Sequence, residues 1–292
     1  MEARPLLNRY EEVTYDALNR ACASDSAMVF PKVRIADVFP LDGGGVPPAH
    51  LSYALRAHFD FVVTSARFEP LFSVEFDGPL HQASQVQRHR DRLKNELCDH
   101  FCYGLLRINS RYLSKAYRGL DLLTYFVDAW FLEQAFDDAQ RRKLIPYDEG
   151  FDMTFIYSNG TEDGRKWPYW LSLDIQRDME RLHRSGLIGQ MAPCYYVGTD
   201  DNGNHRCLCW VVLDAGYVVV VTTGMRVQRF PAVCESELVS MLAMFDLHAA
   251  VQRAIRGDRR HLVDRHHFLA ERLPAFRAQY AMRSMATVTA TV

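Results

Sequence analysis

Two β-patterned runs carry carboxylates where a strand interior should be apolar, and no other feature constrains the chain as much. The runs are FDFVV, from Phe59, and LFSVEFDG, from Leu71; they place Asp60, Glu75 and Asp77 in one short hairpin. An acid inside a strand is costly to bury unless it is paired or bound. A lone strand acid most often protects an exposed sheet edge. Three in one hairpin point to a shared cation, and a divalent metal ion is the simplest. With the turn centred between Arg67 and Phe68, Asp60 faces Glu75 directly, with Cβ atoms about 5 Å apart. Carboxylates that close repel unless a cation or a proton lies between them. Asp77, two residues on, falls on the same face as Glu75, and Gly78 lets the chain leave the strand sharply.

The run that follows reads as a helix over residues 85–103. Gln87, Asp91 and Lys94 form one stripe on it, with Arg90 beside the stripe. His81 lies in the connecting loop. The set suits a hard ion of the Mg²⁺ type, which takes oxygen ligands and keeps several waters. A nearby lysine or histidine can orient or deprotonate such a water, and a cation can stabilise charge building on phosphorus. From His81 to Arg118 there are eight Lys/Arg against three acids, a local excess of +5 in a chain of formal net charge −2. That excess fits a phosphodiester substrate gripped locally, and also a solvated helix face.

The 292 residues allow one large or two modest domains. The pattern predicts a helix over 7–23, a strand-like run VFPKVRIADVF interrupted by Pro31, and a Gly/Pro-rich loop over 40–52. Strands at 58–64 and 71–77, the helix ended by Gly104, a strand at 105–109 and a helix at 119–142 follow. This is an α/β arrangement with a mixed central sheet flanked by helices. From about 146 the chain becomes turn-rich and aromatic. A helix at 171–185, a meander of three or four strands up to Phe230, and helices at 236–256 and 259–282 make a second, α+β domain, so the expected domains are 1–145 and 146–292. No run approaches the roughly 18 apolar residues of a membrane span, and the first residues lack a secretory apolar region. Seven scattered cysteines fit a reduced, cytoplasmic setting. Cys194, Cys207, Cys209 and Cys234 lack the spacing of a zinc site. No P-loop, dinucleotide fingerprint or serine elbow is present.

Taken as a set, Asp60, the strand Glu75-x-Asp77-Gly78, His81 and the helix Gln87…Arg90-Asp91…Lys94, followed by GLLRI, resemble the PD-(D/E)XK nuclease superfamily. More narrowly they resemble a bacterial branch known as a domain of unknown function. The marks of that branch stand in order over about residues 7–125: Glu11 in the first helix, then VFPKV, FDFVV, VEFDG with His81, RDRLKNELC and LLRIN. The resemblance implies a restriction-endonuclease-like core that hydrolyses phosphodiester bonds with Mg²⁺ or Mn²⁺, DNA being the expected polymer. It assigns metal binding to Asp60, Glu75 and Glu11, with Glu12 the alternative to Glu11, and gives Asp77 and Asp91 the part of a third ligand or of orienting groups. Lys94 with Gln87 would position the attacking water, and His81 would be an auxiliary base or phosphate contact. Arg88, Arg90, Arg92, Arg107 and Arg111 would grip the nucleic-acid backbone. The superfamily's strand lysine is replaced here by Asp77. Either Lys94 has taken over its role, or the module binds nucleic acid or a partner protein without cutting. Residues 146–292 would supply target or partner recognition, and a homodimer is compatible with cutting two strands.

Overall fold

The computed structural model describes residues 5–41, 43, 45–78, 85–117, 119–154 and 172–286. The chain divides into two compact units, Met1–Trp167 with Gln228–Val233, and Pro168–Val227 with Cys234–Val292. A continuous boundary at 145 therefore misses the return of Gln228–Val233 to the first unit.

That unit is an α/β structure on a four-stranded mixed sheet, in the order β1-β2-β3-β4. Its elements run α1 (Arg9–Cys22), β1 (Met28–Arg34), the short α2 (Ile35–Val38) and α3 (Pro48–Ala54), β2 (His58–Thr64), β3 (Pro70–Phe76), α4 (Gln85–His100), β4 (Gly104–Ile108) and α5 (Leu122–Arg141). β1, β2 and β3 are antiparallel neighbours, and β4 returns parallel to β3. Pro31 sits inside β1, paired with Phe61; a proline fits there because β1 has a strand on one side only. β2, β3 and β4 read as apolar runs because helices cover both faces. α1 stacks Tyr10 on Phe76 and sets Tyr15 against Phe61. α4 packs Leu97 and Cys98 with Phe59, Val62 and Leu105.

The structure corrects three local expectations. α3 begins inside the expected 40–52 loop, where Pro48 at the first helical turn is pre-set for a helix start. α4 stops at His100, and Gly104 does not break it but opens β4. A Cβ on Gly104 would lie 3.0 Å from Trp130 and 3.1 Å from Cβ of Phe72, so the glycine permits close packing. The returning segment bonds Arg229 to Leu105 in both directions, at 2.8 and 3.2 Å, and its Phe230 packs on Phe72, Phe126 and Trp130.

The second unit holds α6 (Leu173–Arg184), β5 (Cys194–Thr199), β6 (His205–Val212), β7 (Tyr217–Met225), α7 (Glu235–Ile255), β8 (Leu262–Asp264), a helix made of α8 (Arg265–His267), a π-helical turn (Phe268–Arg272) and α9 (Leu273–Gln279), and β9 (Ala281–Ala286). Its five strands form one antiparallel sheet, β8-β7-β6-β5-β9. The single helix expected over 259–282 is shorter, because β8 and β9 bracket it. Residues 155–171 and the end of the ATVTATV tail lie outside the described residues. α7 is the one described helix long and apolar enough to cross a membrane; ten of its residues, from Leu238 to Ala254, are buried. A cavity of about 690 Å³ in this unit is lined by Asp246, Arg253, His261, Arg272, Phe276 and Tyr280, among others.

Candidate carboxylate–lysine site

The β2–β3 hairpin pairs Phe61 with Val74, Val62 with Ser73 and Val63 with Phe72. Continued by one step, this register sets Asp60 opposite Glu75. Side chains take over from the ladder at that point. The Asp60 N–H donates to Glu75 Oε1 at 3.1 Å, and the Phe76 N–H donates to Asp60 Oδ2 at 3.0 Å. Each carboxylate thus accepts a charge-assisted bond from the other strand's backbone, which fixes its orientation.

α4 brings Lys94 to the hairpin. Its Nζ lies 2.7 Å from Glu75 Oε2, donates to the His58 carbonyl at 2.9 Å, and sits 5.4 Å from the centre of the Phe59 ring. Burial pushes the Glu75 pKa up; Lys94 opposes the rise and Asp60 adds to it.

α1 brings Glu11 through its cap. Asn8 accepts from the Tyr10 and Glu11 N–H groups, and Glu11 Oε2 accepts from the Asn8 N–H at 2.9 Å, a reciprocal capping box. The other oxygen, Oε1, meets Lys32 Nζ at 2.6 Å, and the same ammonium meets Asp60 Oδ1 at 2.8 Å. Burial works to lower the Lys32 pKa, but the hydrogen bonds to Asp60 and Glu11 overcome it and leave it raised. Glu12, the alternative to Glu11, is exposed.

A second cluster lies beside the first. β3 and β4 pair Glu75 with Arg107. The Arg107 guanidinium reaches Asp77 at 3.6 Å, Asp91 at 3.4 Å and Asn95 at 3.1 Å. Gln87 donates to Asp91 at 3.1 Å. Gln228 clamps the Arg107 backbone, accepting from its N–H at 2.7 Å and donating to its carbonyl at 3.0 Å. Burial acts to lower the Arg107 pKa, and the charges of Glu75, Asp91 and Asp77 leave it raised.

This geometry changes several expected roles. Asp60 and Glu75 are neighbours, Lys94 lies on Glu75, and Glu11 is joined to Asp60 through Lys32. Asp77 and Asp91 are counterions of Arg107. Arg107 is buried and is spent on those acids, so it is not a nucleic-acid contact; a buried arginine needs carboxylates around it. Arg88, Arg90, Arg92 and Arg111 are exposed, with Arg92 beside Glu96 at 3.8 Å. His81 lies outside the described residues. Among the described residues no three His, Cys, Asp or Glu side chains form a metal-ligating group; the cations at these carboxylates are Lys32, Lys94 and Arg107. Lys32, Asn95 and Gln228 were not expected at the site. A signal for Lys32 existed in VFPKV, but it becomes legible only once β1 is registered against β2. The family described as "Protein of unknown function (DUF2726)" matches residues 3–119, a span that holds every one of these side chains except Gln228. No curated protein and no solved structure matches the chain.

Proposed function

We propose that the chain is a nuclease of the PD-(D/E)XK type that hydrolyses phosphodiester bonds, in DNA by preference, with Mg²⁺ or Mn²⁺. One observation carries this reading: the β2–β3 hairpin ends in two carboxylates, each held by a backbone N–H of the opposite strand, with the buried ammonium of Lys94 on one of them. The element order α1-β1-α2-α3-β2-β3-α4-β4, with β4 parallel to β3, supports a restriction-endonuclease-like core.

The converging oxygens of Glu11 and Asp60 suit a hard divalent cation. Glu11, Asp60 and Glu75 offer carboxylate oxygens, and Lys32 already stands as a cation between two of them. Glu11 and Asp60 would hold the ion through the oxygens now on Lys32, with Glu75, beside Asp60, as the third ligand of this reading. Bound there, it supplies positive charge to the scissile phosphate and acidifies water. Lys94 fixes Glu75 and places a proton-bearing Nζ beside it. Gln87 acts through Asp91, which with Asp77 holds Arg107 against the sheet. The exposed Arg88, Arg90, Arg92 and Arg111 offer positive charge to a phosphate backbone. The second unit takes target or partner recognition, including self-association. A reducing cytoplasm is the proposed setting, since all seven cysteines are unpaired.

A non-catalytic nucleic-acid or protein-binding module is the second reading, and the lysines and arginine already seated on the carboxylates favour it. Incubating the full chain with plasmid, single-stranded DNA and RNA in Mg²⁺ or Mn²⁺ separates the two. The nuclease reading expects metal-dependent cleavage that falls at least about 10²-fold in Glu75→Ala and Asp60→Ala. Cleavage that survives Glu75→Ala would remove the site assignment. Binding without cleavage of any form would establish the second reading.

A further inference from the structure

We propose that Lys32 is the resident cation of the Glu11–Asp60 carboxylate pair, displaced when a divalent cation binds, and that it thereby sets the metal affinity of the site. The inference rests on the nuclease reading only in taking Glu11 and Asp60 as ligands.

The backbone is the first sign of a special role. β1 pairs Pro31 with Phe61 and Val33 with Phe59, so Lys32 stands across from Asp60, but the two form no ladder pair. At Lys32 the chain turns to φ +54°, left-handed inside a strand. A long side chain with a Cβ avoids that region unless its surroundings hold it there. What holds it is the pair of ion contacts, 2.6 Å to Glu11 and 2.8 Å to Asp60.

The oxygens tell the same story. Glu11 Oε2 is committed to the Asn8 N–H, and Asp60 Oδ2 to the Phe76 N–H. The two remaining oxygens, Glu11 Oε1 and Asp60 Oδ1, both converge on the Lys32 ammonium. They are the oxygens a hard cation would need. One positive charge there faces two carboxylates, so a divalent ion balances the pair better than the lysine does. Lys32 also has a way out. Its side chain is 36% exposed, against 8% for Lys94, so its ammonium can swing into water without crossing the core. The two lysines thus divide the work: Lys94 is fixed on Glu75, and Lys32 is the displaceable one.

Mn²⁺ titration of the full chain, followed by calorimetry and by the electron paramagnetic resonance of free Mn²⁺, tests this. The variants are Lys32→Met, Lys32→Arg and Lys32→Gly, the last chosen because glycine accepts the left-handed backbone. Lys32→Gly and Lys32→Met should bind Mn²⁺ at least tenfold more tightly than wild type and show a larger Mn²⁺-induced rise in Tm, while Lys32→Arg should not. Unchanged or weaker Mn²⁺ binding in both neutral variants overturns the proposal, and if cleavage persists it does so without touching the nuclease reading. Tighter Mn²⁺ binding with no cleavage of any nucleic acid supports Lys32's role and removes the nuclease reading instead. Absence of Mn²⁺ binding in every variant overturns both.

Discussion

Glu75 and Lys94 meet at 2.7 Å with side-chain exposures of 11% and 8%, so neither charge is well solvated and each depends on the other. Removing one partner leaves a buried charge without its counterion, which typically costs about 3–5 kcal/mol, whereas replacing both with apolar groups of similar volume is often neutral or stabilising. Glu75→Leu and Lys94→Met should each lower the urea midpoint of unfolding, and the double variant should recover most of the loss. A double variant as unstable as the sum of the singles would show that the pair is not a self-contained electrostatic unit. The same site has a pH signature. Burial raises the Glu75 pKa, with Lys94 opposing and Asp60 adding, so the folded chain holds this proton more tightly than the unfolded chain. The contribution of Glu75 to stability is then complete below the unfolded carboxyl pKa, about 4.3, and is lost as pH rises through the raised folded value. Relative to Glu75→Gln, wild type should lose stability from about pH 4 upward; a relative gain over that range would contradict the direction of the shift.

At the scale of elements, what was legible followed from local pattern. The β2–β3 register is the one implied by a turn at Arg67–Phe68, because strand alternation and the turn together leave few alternatives. The α4 stripe that placed Lys94 over the hairpin needed only helical spacing. What was not legible depends on contacts between distant segments. Lys32 reaches Asp60 only through the β1–β2 pairing. Arg107 looks like one more basic residue until β4 is seen buried beside β3, with Gln228 bonded to its outer edge. Gly104 shows the same limit. Glycine after a helical run reads as a helix stop, yet Cys102 already takes the left-handed turn with φ +50°, and the missing side chain matters because Trp130 and Phe72 lie 3.0 and 3.1 Å from where a Cβ would be. Gly104→Ala should therefore destabilise the chain by about 1–3 kcal/mol through overpacking, read by urea or thermal unfolding. Unchanged stability would mean that the Trp130 ring shifts at no cost and that the helix-stop role was the true one.

For the whole molecule, the consequence of a discontinuous first unit is that the β4 edge of its sheet is covered by a segment that returns after β7. Gln228 supplies the hydrogen-bonding partners of the Arg107 N–H and carbonyl, and Phe230, buried at 3% exposure, closes an aromatic cluster with ring centres 5.2 Å from Phe72, 5.7 Å from Phe126 and 5.1 Å from Trp130. Losing a buried phenylalanine costs about 3–5 kcal/mol, and each stranded backbone group about 1–3 kcal/mol more. Together these rival the roughly 5–15 kcal/mol by which a domain is stable at all. A fragment spanning residues 1–167 holds α1 through α5, all four strands and every candidate ligand, yet lacks both residues. It should unfold at a much lower urea concentration than the full chain, with poor cooperativity and exposed apolar surface that binds a hydrophobic dye. Phe230→Ala in the full chain should reproduce part of the loss without removing the second unit, which separates the missing side chain from the missing unit. A 1–167 fragment that unfolds cooperatively at the full-chain midpoint would show that the returning segment is dispensable, and would make that fragment the smallest piece on which to test the carboxylate site.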